Sequence, residues 1–228
     1  MKLNEKLSLK QLQIHENAKI RRVRRIYNLI TQDENILDAT TKMVRNSGGK
    51  TSGTDDIDKY EITQVKLKLL QSQLKNQTFI PTPSLRVYIP KPDGGQRGLG
   101  IPNLYDRIVQ RAIVNYLEPI AEAHFTKHNT GFRRNKNTWD SITDITKIVF
   151  NPKAGYNWVL EGDIKGAFDN ILHRTIIKQI DQWISDNKLR RLIAKMLKSG
   201  FLEEGKLYTD YKGTPQGGSF SPLLYNIG

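Results

Sequence analysis

Residues 85 to 102 constrain the fold of this chain more than any other stretch. Leu85, Val87 and Ile89 alternate with Arg86 and Tyr88, Asp93-Gly94-Gly95 interrupts the pattern, and Arg97 to Ile101 resume it. Alternation on both sides of a glycine-containing turn predicts a β-hairpin. Lys91 and Arg97 flank its tip, so the hairpin is basic where it protrudes. Helical patterns precede and follow it, which makes the chain an α+β protein.

On the N-terminal side, Ile20, Val23, Tyr27 and Ile30 recur at spacings of three and four and predict a helix over residues 16–31. Its other face carries Lys19, Arg21, Arg22, Arg24 and Arg25, five cations within seven residues that repel one another and call for a counter-charge. A second helix is predicted over 33–45, with Asp33 at its positive end. Residues 46–58 are Asn, Ser, Gly, Lys, Thr and Asp, a flexible loop able to follow a phosphate backbone. The loop lacks the glycine spacing of a nucleotide P-loop. A third helix is predicted over 61–75, with Ile62, Val65, Leu69 and Leu70 inward. After the hairpin, residues 103–123 read as helix, with Ile108, Ala112 and Tyr116 on one face. Residues 157–164 read as a buried strand through Trp158, Val159 and Leu160. Helices follow over 173–184 and 189–197, then a short hairpin around Gly205, a Gly213-to-Gly218 turn and the start of a last helix.

Charge sharpens this reading. The chain holds 36 Lys and Arg against 23 Asp and Glu, a net charge of +13. Residues 1–136 carry 24 basic and 13 acidic side chains, a net +11, and residues 137–228 only 12 against 10, a net +2. The expected division is therefore a basic, nucleic-acid-gripping part over 1–136 and a second part over 137–228. Zero cysteines exclude disulfides and thiolate metal sites. No apolar run is long enough to span a bilayer, and the N-terminus does not resemble a signal peptide, so a cytoplasmic protein without membrane contact is expected.

Asp163 closes the predicted strand, where a sheet opens into a site. Phosphoryl transfer by Mg²⁺ needs hard oxygen ligands, and Asp163 with the carbonyl of Ile164 supplies part of such a set. A helix cap or structural ion pair is the plainer reading of an isolated aspartate. The glycines of Gly213-Thr214-Pro215-Gln216-Gly217-Gly218 let backbone approach a ligand closely. Lys91 and Arg97 have the chemistry to clamp a triphosphate.

Taken in order, these pieces form a pattern. Tyr88-Ile89-Pro90-Lys91-Pro92-Asp93-Gly94-Gly95-Gln96-Arg97-Gly98-Leu99-Gly100-Ile101-Pro102 is followed by Asp106-Arg107-Ile108-Val109-Gln110, Leu117-Glu118-Pro119 and Thr130-Gly131-Phe132-Arg133. Then come Leu160-Glu161-Gly162-Asp163-Ile164, Phe168-Asp169-Asn170-Ile171, the Gly213–Gly218 block and Ser221-Pro222-Leu223-Leu224-Tyr225-Asn226-Ile227. The succession resembles the blocks of group II intron-encoded reverse transcriptases and maturases over roughly residues 45 to 228. The resemblance implies a right-hand fold: helix-rich basic fingers with a β-hairpin, plus part of a palm sheet. It implies RNA-directed DNA synthesis in intron mobility, with a splicing role through intron RNA. Asp163 matches the first catalytic Mg²⁺ ligand, and Phe168 matches the aromatic gate that collides with a ribose 2′-hydroxyl. Lys91 and Arg97 match the residues gripping the incoming deoxynucleoside triphosphate, with Ile164 beside it, and Gln216 matches the glutamine near sugar and template base. The cations from Lys19 to Arg25, the 46–58 loop and Arg133 are expected on template and intron RNA, with a DNA primer as further partner.

The sequence departs from the family pattern in one main respect. The Tyr/Phe-x-Asp-Asp hairpin would lie after residue 228, no Asp-Asp pair follows Asp163, and Asp55-Asp56 does not replace it. Thumb, maturase and endonuclease segments are likewise outside these residues, and Asn129 and Asn135-Lys136-Asn137 differ from the small, serine-bearing turn expected there. The chain alone is therefore expected to be inactive, with an unpaired edge around Trp158, Val159 and Leu160 open to self-association or a complementing C-terminal fragment. A non-catalytic RNA-binding remnant is the alternative. Retron, diversity-generating and CRISPR-associated reverse transcriptases are a further one.

Overall fold

The computed structural model describes residues 3–228 apart from 93, 152, 154, 157, 215 and 216, and all side chains within them but those of 3, 4 and 6. The core is organised on α5 (Leu104–Glu122), whose Leu104, Ile108, Ala112, Ile113, Tyr116, Leu117 and Ile120 are fully buried. A helix apolar around most of its circumference has to sit inside other helices. Packed on it are α1 (Leu3–Ile20), α2 (Ile26–Ile30) and α3 (Asp33–Arg45). A buried polar network fixes α3 against α5. Asn115 Nδ2 donates to Asn35 Oδ1 and Asp38 Oδ2, both at 2.8 Å, and Lys42 closes the set on Asp38 at 2.6 Å. Every member has a partner, which specifies one register between the helices.

The helix expected over 16–31 is broken. α1 begins earlier and ends at Ile20, Val23–Arg24 form a short strand (β1), and Arg25 takes a left-handed φ of 57° before α2. The cause is tertiary: β1 pairs in parallel with β4 (Ile184–Ser185), and Arg22 Nη2 donates to Ile184 O at 3.1 Å. Pairing also relieves the crowding of cations that a continuous helix would impose. α3 has the expected bounds. In α4 (Gln64–Lys75) the inward residues are Leu70 and Leu74, while Val65 and Leu69 are exposed. Tyr27 sets this rotation by donating its hydroxyl to Leu74 O at 2.5 Å.

The predicted hairpin forms from β2 (Ser84–Pro90) and β3 (Gln96–Ile101), with Ile89 opposite Arg97. β5 (Phe201–Glu203) and β6 (Lys206–Tyr208) extend it into a sheet of order β3-β2-β5-β6, β5 lying parallel to β2. α8 (His173–Trp183) and α9 (Asn187–Leu197) pack together through Ile176, Ile180, Leu189 and Ile193, and α10 (Ser221–Ile227) joins them. One cluster of buried residues runs from Leu7 to Ile227.

Two segments differ from expectation. Residues 158–164 form no strand, and Trp158, Val159 and Leu160 are 95%, 87% and 99% exposed. An extended segment becomes a strand only when a neighbour takes its backbone hydrogen bonds, and no described strand pairs with this one. Conversely, α6 (Thr138–Val149) occupies residues for which the sequence reading assigned no element. No described helix is long and apolar enough to cross a membrane.

Candidate active site

Backbone geometry brings the hairpin, the Phe168 block and the glycine block together. Gly213 N donates to Ile171 O and Thr214 N to Phe168 O, both at 2.8 Å, and His173 N donates to Tyr211 O at 3.0 Å. His173 Nε2 lies 2.7 Å from Gly213 O; the carbonyl only accepts, so this nitrogen carries the proton. Gly217 has φ +119°, and a Cβ on it would stand 2.6 Å from Gly100 O of β3. Glycine is needed there for both dihedral and space. A Cβ on Gly218 would meet Gln110 Oε1 at 2.9 Å, which ties the same block to α5. Gln216, the expected contact to sugar and template base, lies outside the described residues.

Phe168 lies in the short helix α7 (Ala167–Asn170) and is held between two rings. Tyr225 of α10 stacks on it with centroids 4.7 Å apart, and Phe132 meets it edge-on at 5.7 Å. Asn226 Nδ2 donates to Gly131 O at 2.8 Å and fixes the Phe132 turn to α10. Sequence reasoning singled out Phe168 but not Phe132 and Tyr225, the rings that hold it, nor His173, which holds the glycine block. For Phe132 and Tyr225, membership in neighbouring motif blocks was the available signal; His173 lies in none of them.

At the hairpin tip, Lys91 N donates to Gly95 O at 2.7 Å, closing the turn. Lys91, just past the end of β2, and Arg97, on β3, stand exposed beside it. Asp163 and Ile164 are exposed in the unpaired 158–164 segment. Their oxygens suit Mg²⁺ chemically. Among the described residues, however, no three His, Asp or Glu gather to hold a metal, so these residues do not by themselves complete a Mg²⁺ site.

Arg133 is held by its neighbours in the folded chain. Its guanidinium grips Glu122, with Nε at 3.0 and 3.1 Å and Nη2 at 2.6 Å, and Nη1 donates to Thr126 O and Asn129 O. The side chain is 8% exposed and lies over the Phe125 ring. It clamps the turn after α5 and leaves little surface for a phosphate. The cations from Lys19 to Arg25 remain exposed. Arg21, Arg22 and Arg24 line an open groove of about 670 Å³ with Asn17 and Ser185, in place of the helix face expected.

The 46–58 loop is pinned, contrary to the expected flexibility. Arg107 donates to Gly48 O at 2.7 Å and Thr51 O at 2.5 Å, and Thr54 N donates to Asn103 Oδ1 at 2.6 Å. Next to Arg107, Asp106 is buried under Thr82, accepting from its N–H at 3.2 Å and from its hydroxyl. Burial pushes the Asp106 carboxyl up to about 6, against the partial relief that Thr82 gives. Between pH 4 and 6 the folded chain therefore holds a proton that the unfolded chain releases. Stability is highest below that window and falls as pH rises through 6. Asp106→Asn is expected to abolish this slope, making the variant the more stable protein above pH 6 by on the order of 2–3 kcal/mol. Urea unfolding at pH 4.5 and pH 7.5 measures it; parallel pH dependence in the two proteins would contradict the assignment.

The sheet-borne hairpin, the glycine block and the adjoining aromatic ring meet around Gly217 and Thr214, and comparisons with known proteins supply the family. Residues 89–228 match the family model described as reverse transcriptase (RNA-dependent DNA polymerase), and the chain belongs to that family. It is 37% identical to Protein YkfC of Escherichia coli K12 over 210 residues, covering 90% of this chain and 55% of that protein. It is also 37% identical over 204 residues to the group II intron-encoded protein LtrA of Lactococcus lactis, covering 89% of this chain and 33% of LtrA. The putative COX1/OXI3 intron 1 protein of Saccharomyces cerevisiae is 34% identical over 79% of the chain and 21% of that protein. The chain thus spans about half of the first relative and a third of the second. Among solved structures, a chain of a partial Cas6-RT-Cas1–Cas2 complex superposes with a TM-score of 0.58 at 23% identity, over 88% of this chain and 33% of that one, which shows the shared fold.

Proposed function

We propose that this chain is the template- and nucleotide-holding part of an RNA-directed DNA polymerase of the group II intron type. The observation that carries the reading is the junction at Gly217, where the glycine block touches β3 while Thr214 binds the backbone of Phe168. That junction supports reading the hairpin and Phe168 as parts of one site, because the glycine block touches both. In this reading Lys91 and Arg97 hold the triphosphate of a deoxynucleotide, Phe168 walls its sugar, and Asp163 with the Ile164 carbonyl contributes to a Mg²⁺ site completed by carboxylates from outside these residues. RNA lies along the basic groove at Arg21–Arg24, a DNA primer supplies the attacking hydroxyl, and a complementing C-terminal fragment covers the Asp163 segment. A cytoplasmic location accompanies this reading.

The test is a chimera joining residues 1–228 to the part of LtrA that follows its matched segment, assayed for primer extension on an RNA template. DNA synthesis is expected, and an inert chimera beside active LtrA would defeat the proposal. In that chimera Phe168→Ala should reduce the preference for deoxynucleotides roughly tenfold or more, because discrimination built on a clash is lost with the clash. An unaltered preference would assign the gate to another side chain. Residues 1–228 alone are expected to bind RNA and extend no primer, since Asp163 is unpaired and exposed. Template-dependent synthesis by the isolated chain would show the non-catalytic expectation to be wrong.

A further inference from the structure

Residues 187–198 carry Lys188, Arg190, Arg191, Lys195 and Lys198 and no Asp or Glu. They hold five of the 12 basic side chains of 137–228, so the near-neutral total of that part conceals one strongly positive element. α9 sorts these cations by face. At about 100° per residue, Lys188, Arg191, Lys195 and the C-cap Lys198 fall within an arc of about 80° that holds no other residue of the helix. The buried Leu189, Leu192, Ile193, Met196 and Leu197 occupy the other side. Arg190 stands apart, 3.6 Å from Asp181. The four cations of the arc are all exposed, and a rise of about 1.5 Å per residue spreads them over about 15 Å.

Two of the four are held in place without being neutralised. Arg191 Nη2 donates to Gln77 Oε1 at 3.1 Å, and Lys195 Nζ donates to Phe79 O at 3.3 Å. Both acceptors are uncharged, so they orient the cations and leave the positive charge in place. Asp186, the carboxylate at the start of α9, accepts instead from the backbone N–H groups of Tyr27, Lys188 and Leu189. Among the described residues none of the four cations is in an ion pair. Lys188, Arg191 and Lys195 line a cavity of about 210 Å³ with Tyr27, Gln77 and Phe79, and no acidic residue is on its wall.

Oriented cations along one line, with no carboxylate among them, suit a partner whose anions are also strung along a line, and a phosphodiester strand has that form. The location agrees. Ser185 lines the groove at Arg21–Arg24, and Lys188 follows three residues later. α2 adjoins both cavities, through Ile26 and Leu29 at the groove and through Tyr27 at α9. We propose that the face of α9 formed by Lys188, Arg191, Lys195 and Lys198 is a second RNA contact, holding the phosphate backbone of a strand next to that groove. The inference rests on the reading that the chain holds RNA.

Lys188 and Lys198 give the sharpest test, since among the described residues their ammonium groups have no hydrogen-bond partner to lose. Lys188→Gln with Lys198→Gln should weaken binding of a labelled RNA hairpin to residues 1–228 about tenfold at about 0.1 M salt and lower the salt slope by about 1.5 units. The melting temperature should stay as in the parent. Lys147→Gln with Arg190→Gln removes the same charge away from this face and should cost no more than about twofold, because distant exposed charges are screened. Fluorescence anisotropy across a salt series measures both. An equal loss in the two double variants would reduce the effect to net charge and overturn the proposal. Parent-like binding by Lys188→Gln with Lys198→Gln, beside weakened binding by Arg24→Gln, would overturn it while leaving the RNA reading intact. A parent chain that binds no RNA at low salt would defeat the reading and the proposal together.

Discussion

Glutamine in place of Arg21, Arg22, Arg24 and Arg25 together is expected to lower the affinity of the chain for structured RNA by roughly a few hundredfold at about 0.1 M salt, and to reduce the salt slope by roughly three units. Each guanidinium that neutralises a phosphate releases counterions, so removing several removes both affinity and its salt dependence. The four are unequal. Arg22 already donates to Ile184 O, so its loss also loosens the β1–β4 pair. Arg21, 3.5 Å from Asn17 Oδ1, and Arg24, on the open edge, have less to lose in the free protein. Arg24→Gln and Arg21→Gln alone should therefore move RNA binding with little change in the melting temperature, whereas Arg22→Gln should move both. Filter binding across a salt series, with thermal melts of each variant, separates the effects. A quadruple variant with the parent's slope and affinity would remove this groove from the RNA surface. The opposite control is Arg133, whose ion pair with Glu122 makes Arg133→Ala a stability variant.

Asp163→Asn in the chimera is expected to abolish primer extension, by at least about a thousandfold, while RNA binding stays within about twofold. The amide keeps the shape of the carboxylate but removes the charge, and hard divalent cations depend on that charge. In the folded chain Asp163 is exposed and carries no structural load, so the variant should unfold at the parent's urea concentration. The pairing of a large kinetic loss with an unchanged fold distinguishes a metal ligand from a helix cap or a structural ion pair, whose loss lowers stability. Extension by Asp163→Asn at the parent's rate would place the metal elsewhere.

Much of the fold was legible because its causes are local. The hairpin follows from alternation over five residues and a Gly-Gly turn, and α3, α5, α8 and α9 follow from helical spacing. All are set by contacts a few positions apart. The ordered motif blocks were legible for the same reason: each is a short run, and in several of them glycines or prolines fix a backbone shape. The break after Ile20 was not, because the partner that turns residues 23–24 into a strand lies at 184–185. Nor was the clamp on Arg133, because only the folded turn brings Glu122, Thr126 and Asn129 around its guanidinium. The bracket of Phe132 and Tyr225 around Phe168 joins three segments that sequence spacing leaves unrelated. Residues 158–164 have the apolar content of a buried strand, but a strand exists only beside another, and tertiary structure alone decides whether a neighbour is there. The sequence by itself determined the hairpin, α3, α5, α8 and α9, the charge division and the order of the site blocks. The tertiary structure decided which of those blocks touch, where the helix expected over 16–31 breaks and which cations are held by neighbouring groups, since hydrogen-bond partners and packing surfaces are supplied by residues far away along the chain.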